Sequence, residues 1–413
     1  MFSDMGAFMM KKRCRRTAAA FLTAAVLISA VFSGCRKQEQ KTPSVEGLET
    51  IHETEFGGVY LKMTIDDFNK LGFSYGDSVD LEFSNGYKLE DLPYYNGYYV
   101  DAGQPLLIAY PGYDYIKAAI NYGEDLWEKA GLKDGLLAVP KLLGAVNSDL
   151  FSAAELDGHS TAKIVLHERG KYKDIQDARD IHYSDERSKF DSDEIFANFR
   201  NMTVGNLKEG AVYRSASPCD NQHNRAPYVD ALIREAGVNC ILDLADNETK
   251  IEKYISAEGF SSPYFLSLYE GGKVIPLALS MNYMADEFGQ KIAEGFRQMA
   301  ETDGPYLVHC TEGKDRTGFV CMLIGMLAGA SYRELVDDYM VTYQNYYKIT
   351  EASEKAKYDV ILDKNLNAMM RWVIGDENAD LEKADLQTAA EKYLLAGGMT
   401  AAGIAAFLEK ITK

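Results

Sequence analysis

Cys310 and Arg316 stand six positions apart in the stretch VHCTEGKDRTGF, Val308 to Phe319. The apolar run before Cys310 reads as a buried strand, and TGFVCMLIGMLAGA after Arg316 reads as a buried helix. A tight loop from a strand end to a helix N-terminus turns its backbone N–H groups inward as an anion nest, and the helix dipole adds to that field. Gly313 permits the tight turn, and Gly318 lets the helix pack closely. The anion expected there is a phosphate, held bidentately by Arg316 and surrounded by Thr311, Glu312, Gly313 and Lys314. The same field favours the thiolate form of Cys310, which is the nucleophilic form. His309 is expected to orient the loop by hydrogen bonds rather than to take a proton, and to belong with the substrate-binding residues. Thr317 is expected to donate its hydroxyl to the sulfur once a leaving group departs. Arg316 and the loop amides would then stabilise the equatorial oxygens of a transferring phosphoryl group.

The bare Cys-x5-Arg spacing is weak, but HCTEGKDRTG between a strand and a buried helix is specific. It resembles the cysteine-dependent protein tyrosine phosphatase superfamily. Within it, GKDRTG is similar to the atypical bacterial tyrosine and dual-specificity phosphatases that also hydrolyse phosphoinositides. The likeness runs from about residue 195 to 350, where NFR (Asn198 to Arg200), YRSAS (Tyr213 to Ser217), LDLADNE and LVDDYMVTY follow in that family's order. Two departures matter. Ala245 stands where the family often has Arg, so a cation there is lost or supplied elsewhere. No Trp-Pro-Asp acid loop occurs, since Trp127 and Trp372 lie in other contexts. The resemblance implies Asp315 as the general acid, with Asp243, Asp246 and Glu270 as rivals on other loops. Lys314 would add a second cation for a polyphosphorylated substrate, and Arg214 and Arg200 are candidates either to line the pocket or to form salt bridges. Asp220 to Arg225 would form a rim, and Cys219 is a candidate for reversible pairing with Cys310.

The resemblance implies phosphomonoester hydrolysis through a phosphocysteine, with no cofactor and no metal, on a phosphorylated protein. An inositol phosphate or phosphoinositide substrate is the alternative. A rhodanese-type sulfurtransferase also has a strand, a Cys loop and a helix, but Arg316-Thr317-Gly318 disfavours it. In another class, an inactive phosphate-binding or cell-surface module would leave the function to the N-terminal region.

The chain has 413 residues and a formal net charge of −18, which excludes nucleic acid as an expected partner because phosphate backbones need a basic footprint. The first residues read as an address. A basic cluster from Lys11 to Arg16 precedes an uncharged stretch that ends in VFSGC, which resembles the lipobox of bacterial lipoproteins. Cys35 is thus the expected lipid attachment site, with Phe32 where Leu is more usual. The protein is expected to be exported and lipid-anchored on the extracytoplasmic face of the membrane.

The expected organisation is a lipoprotein signal peptide over 1–35, a polar tether over 36–50, a β-rich domain over 51–185 and the catalytic domain over 186–413. In the β-rich region, Val79, Leu81 and Phe83 alternate up to an Asn85-Gly86 hairpin turn. The stretch from Tyr99 to Gly135 is faintly similar to the C-terminal β-barrel of the S-adenosylmethionine hydroxide adenosyltransferases, which implies a barrel-like fold and nothing more. The charged stretch 171–194 reads as a connector. Beyond it, strands alternate with helices, predicting an α/β domain with a central, mostly parallel sheet flanked by helices. Cys219, Cys240, Cys310 and Cys321 are too sparse for a disulfide framework or zinc spacing.

Overall fold

The computed structural model describes residues 42–413 apart from 55, 134–158 and 281. Among them, β1 (Ser44–Glu53), β2 (Gly58–Leu61), β3 (Ser78–Phe83), β4 (Lys88–Tyr95), β5 (Pro105–Ile108), β6 (Ile116–Ile120) and β7 (Thr161–Glu168) close a barrel. The strand order is β1-β2-β6-β5-β4-β3-β7, and β7 returns to pair with β1. The β3–β4 hairpin forms as its alternation requires, with Val79, Leu81 and Phe83 buried in the barrel core and Gly86 turning at φ +89°. A buried Lys117 pairs with Glu53 at 3.1 Å and lies over the rings of Tyr60 and Tyr113.

The structure corrects the tether. Residues 44–50 belong to β1, and β1 pairs along both edges. A register shift between Val45 and Leu48, with Gly47 at φ +75°, breaks the period-two pattern that would have marked the strand.

The second sheet contains β8 (Arg200–Asn201), β9 (Val212–Ser215), β10 (Cys240–Asp243), β11 (Val274–Pro276) and β12 (Tyr306–His309). Its order is β11-β10-β12-β9-β8, parallel except where β8 runs against β9. Strand residues alternate between two cores. Leu242 and Val308 join the side chains of the helices Asp286–Glu301 and Asp315–Leu327. Ile241 and Leu307 join those of the helices Ala226–Glu235 and Pro263–Glu270. Both faces are therefore covered, which explains why β10 and β12 read as continuous apolar runs.

Residues 42–413 form one compact unit, so the barrel and the second sheet do not separate. The charged connector contains a helix, Lys173–Arg179, packed against the helix Lys355–Ile361. No helix among the described residues is long and apolar enough to cross a membrane. The basic leader, Cys14 and the expected lipid site Cys35 lie outside the described residues. Cys219, Cys240, Cys310 and Cys321 are all buried and unpaired, so the considered Cys219–Cys310 pairing is not formed.

Candidate active site

The loop after β12 is held by its carbonyls. The Ser217 N–H donates to Thr311 O at 3.1 Å, and the Tyr346 hydroxyl donates to Glu312 O at 2.8 Å. Gly313 O accepts from Asn198 Nδ2 at 3.1 Å and from Arg214 Nη2 at 3.2 Å. Lys314 O accepts from the Gly318 N–H at 2.7 Å, inside the first turn of the helix Asp315–Leu327. Among the described residues, no N–H from Thr311 to Arg316 donates to a protein acceptor. Such a row of free amides at a helix N-terminus is an anion cradle.

Gly313 makes this possible, because its φ is +69° and a Cβ there would lie 2.3 Å from the Ser215 carbonyl oxygen. Neither that backbone nor the left-handed conformation yields easily. Gly313→Ala is expected to cost roughly 2–5 kcal/mol of stability and to abolish anion binding, both readable in one urea titration with and without phosphate.

Behind the loop lies a buried ionic brace. Arg214 Nη1 reaches Asp338 Oδ2 at 2.6 Å, and Arg200 Nε reaches Asp338 Oδ1 at 3.2 Å. Burial pushes the Asp338 carboxyl up, but Arg214 and Arg200 outweigh it and hold the carboxyl below its ordinary range. Arg200 also bonds Asn198 Oδ1 and Thr342 Oγ1. Arg214 is only 1% exposed and takes the salt-bridging one of its two expected roles, which corrects its place among the substrate-binding residues. Its two bonds position Gly313 instead. His309 is fully buried, which corrects its place among the substrate-binding residues and agrees with its expected loop-orienting role, with Nδ1 3.4 Å from the Cys310 carbonyl and Nε2 3.8 Å from Asp243 Oδ2. Burial pushes its imidazole down to about 4, so it is neutral at physiological pH and acts as a brace.

On the cradle side, Cys310 is 3% exposed and Thr317 is fully buried, its hydroxyl without a protein partner among the described residues. Arg316 Nη1 donates to Leu279 O at 3.2 Å, Nη2 lies 3.5 Å from Thr311 Oγ1, and Nε has no protein acceptor. Asp315 opens the helix with its side chain 45% exposed. Lys314 is not a free second cation. Its ammonium meets Glu312 at 2.8 Å, Asp315 at 3.8 Å and the Tyr347 hydroxyl at 3.2 Å. Burial alone would lower the Lys314 pKa, but Asp315 and Glu312 raise it well above the usual value, so it stays charged. Glu312 therefore serves the site through this ion pair and its main chain.

The rival acids fare differently. Asp243 and Asp246 are buried, and Asp243 Oδ1 accepts the N–H groups of Ala245 and Asp246. Burial pushes both carboxyls up. Glu270 is exposed at the end of its helix and lines neither cavity beside the loop.

Two cavities meet at Arg316. One, of about 350 Å³, has Lys314, Asp315 and Arg316 in its lining together with Tyr339, Tyr343 and Tyr347. The other, of about 370 Å³, is lined by Ala245, Lys250, Leu279 and Lys291. Lys250 lies 3.7 Å from Asp246 and Lys291 2.6 Å from Glu287, so both cations are paired and neither stands in for the Arg that Ala245 replaces.

Residues 195–412 match the family model described as the tyrosine phosphatase family. The chain belongs to the tyrosine phosphatase family. Solved structures similar to this phosphatase-family chain include an uncharacterized conserved protein from Thermotoga maritima, with 18% identity over 30% of this chain and 36% of that one, TM-score 0.21. The alignment thus spans about a third of that protein. Two others are the core catalytic domain of the PP-IP phosphatase SIW14 from S. cerevisiae in complex with citrate (21% identity, 40% and 83% of the two chains, TM-score 0.24) and P. aeruginosa TpbA (18%, 56% and 98%, TM-score 0.21). No match was found among curated proteins.

In this phosphatase-family chain the structure gathers Cys310, Thr311, Gly313, Arg316 and Thr317 in one loop and helix start. It places Lys314, Asp315 and Arg316 on a cavity wall. Sequence reasoning missed Asn198, Tyr346 and Ser217, which turn the loop carbonyls away, and Asp338, which holds Arg214 behind them. Asn198 and Asp338 fall within NFR and LVDDYMVTY, so a signal was present, but the side chains that meet there come from distant segments. It also missed the barrel residues that reach the first cavity.

Proposed function

We propose that this protein is a phosphomonoester hydrolase working through a phosphocysteine intermediate. The carrying observation is the 310–316 loop, whose carbonyls are tied back while the amides that follow Cys310 are left without protein acceptors. In the first step the Cys310 thiolate attacks phosphorus, an S–P bond forms and the O–P bond to the leaving group breaks. Asp315 gives its proton to the departing oxygen. In the second step water attacks phosphorus, Asp315 takes a proton from it, and the S–P bond breaks to release inorganic phosphate. Thr317 stabilises the sulfur as it leaves, and Arg316 with the loop amides holds the equatorial oxygens. No cofactor enters this chemistry.

Asp315 is favoured over its rivals because it is half-exposed and lines a cavity, whereas Asp243 is buried beside His309 and accepts backbone N–H groups, and Asp246 is buried against Tyr254 and Lys250. Asp315→Asn is expected to lower kcat about 10²–10³-fold for an alkyl phosphate and much less for 4-nitrophenyl phosphate, whose leaving group needs no proton. Equal losses on both donors would return the acid role to another residue.

The substrate is a phosphorylated protein or an inositol phosphate or phosphoinositide. With Lys314 engaged by Glu312 and Asp315, the ion pairs give no special preference for a polyphosphorylated group. The catalytic domain is taken as 186–413 and the β-rich domain as the barrel region before it, which begins with β1 at Ser44. Export, removal of residues before Cys35 and lipid anchoring there complete the proposal. Labelled palmitate incorporation into wild type but not Cys35→Ala is the expected outcome.

A further inference from the structure

The 350 Å³ cavity at Asp315 and Arg316 is not built by the phosphatase-family region alone. Barrel residues Tyr99, Asp101 and Tyr122 line it, with Arg179 from the connector and Lys364 from beyond the Tyr332–Tyr347 helix. The barrel part of this wall is constructed rather than incidental. Asn121 Nδ2 donates to Val100 O at 2.7 Å, and the Gly103 N–H donates to Asn121 O at 2.6 Å, so the loops after β4 and β6 brace one another. Asp101 reaches Lys364 at 3.5 Å, Arg179 bonds Asn365, and the Arg179 guanidinium lies over the Tyr99 ring at 5.9 Å.

Tyr122 stands out within that wall. Its φ is +46°, a left-handed backbone that a bulky residue adopts only at a cost, and the residue is 54% exposed. A core contact would explain neither feature. Tyr122 shares the cavity lining with Asp315 and Arg316; partial withdrawal from water raises the pKa of its phenol, the Asp315 carboxylate raises it further, and Arg316 opposes them.

We infer that the barrel supplies the outer wall of the substrate pocket, with Tyr122 and Tyr99 as specificity-determining residues, and that the substrate is a small, free phosphomonoester rather than a phosphorylated polypeptide. A cavity of about 350 Å³ is at the lower end of the range for small-molecule sites. A polypeptide presenting a phosphorylated side chain to Arg316 through this cavity would have to pass the barrel loops that line it. The inference rests on the phosphatase reading of the Cys310 loop, so its test is made without turnover.

Binding of 4-nitrophenyl phosphate and of a phosphotyrosyl decapeptide to the full chain carrying Cys310→Ser is measured by calorimetry. The small donor is expected to bind at least tenfold more tightly than the peptide. Adding Tyr122→Gly is expected to weaken the small donor about tenfold without lowering the melting temperature, because glycine relieves the φ +46° backbone. Tyr99→Ala, at an ordinary backbone, is expected to act in the same direction. The inference is overturned if neither variant changes the Kd of the small donor, if the peptide binds as tightly, or if the small donor does not bind. Failure of the wild type to hydrolyse any donor would instead overturn the phosphatase reading.

Discussion

Cys310→Ser is expected to lower kcat by roughly 10⁵-fold or more while the protein keeps its fold and its affinity for phosphate. A serine hydroxyl at this position has no base to activate it, because the neighbouring His309 is buried, braced towards Asp243 and turned to the Cys310 carbonyl. The oxygen for sulfur exchange removes little volume at a site that is 3% exposed, so the loop should not collapse. The amides from Thr311 to Arg316 and the Arg316 guanidinium are untouched, and they carry the anion affinity. Steady-state kinetics with a generic phosphomonoester and calorimetry with inorganic phosphate read the two halves of this expectation. Turnover within about tenfold of wild type would remove Cys310 from the chemistry.

Arg316→Lys is expected to lower kcat/KM by about 10³-fold, with most of the loss in kcat. The guanidinium is held in place by Leu279 O through Nη1 and by Thr311 Oγ1 near Nη2, and its Nε has no protein acceptor. A planar fork so oriented can meet two phosphoryl oxygens at once, whereas a lysine ammonium offers a single point of charge on a flexible stem. The positive charge is retained, so a loss of this size would reflect geometry. A drop of less than about tenfold, measured beside an unchanged melting temperature, would show that charge alone suffices and that bidentate contact is not used.

The catalytic sheet was legible because β10 and β12 are short apolar runs with helices between them, and β9 lies in the YRSAS motif. The hairpin at Asn85-Gly86 was legible because only a few dipeptides make that turn. The start of β1 was not, since a bulge at Gly47 disguises the alternation of Val45 and Leu48. Within the site, Cys310, Gly313 and Arg316 could be read from local spacing, because a seven-residue loop contains its own chemistry. The roles of Arg214 and Lys314 could not. Their behaviour depends on Asp338, Glu312 and Asp315, and the Arg214–Asp338 meeting spans segments far apart in the chain. The part played by Tyr122 was hidden for the same reason. Nothing near Asn121-Tyr122 in the sequence indicates that the barrel loop reaches Asp315 and Arg316.

The central claim is a covalent phosphoryl group on Cys310. Wild-type protein mixed with a fast-leaving phosphomonoester and quenched in acid within milliseconds is digested and weighed by mass spectrometry. The account predicts one added phosphoryl group on the peptide containing Cys310, absent in Cys310→Ser and lost on neutral incubation. Rapid turnover with no phosphoryl group on that peptide at any quench time, or its appearance on a different residue, would contradict it.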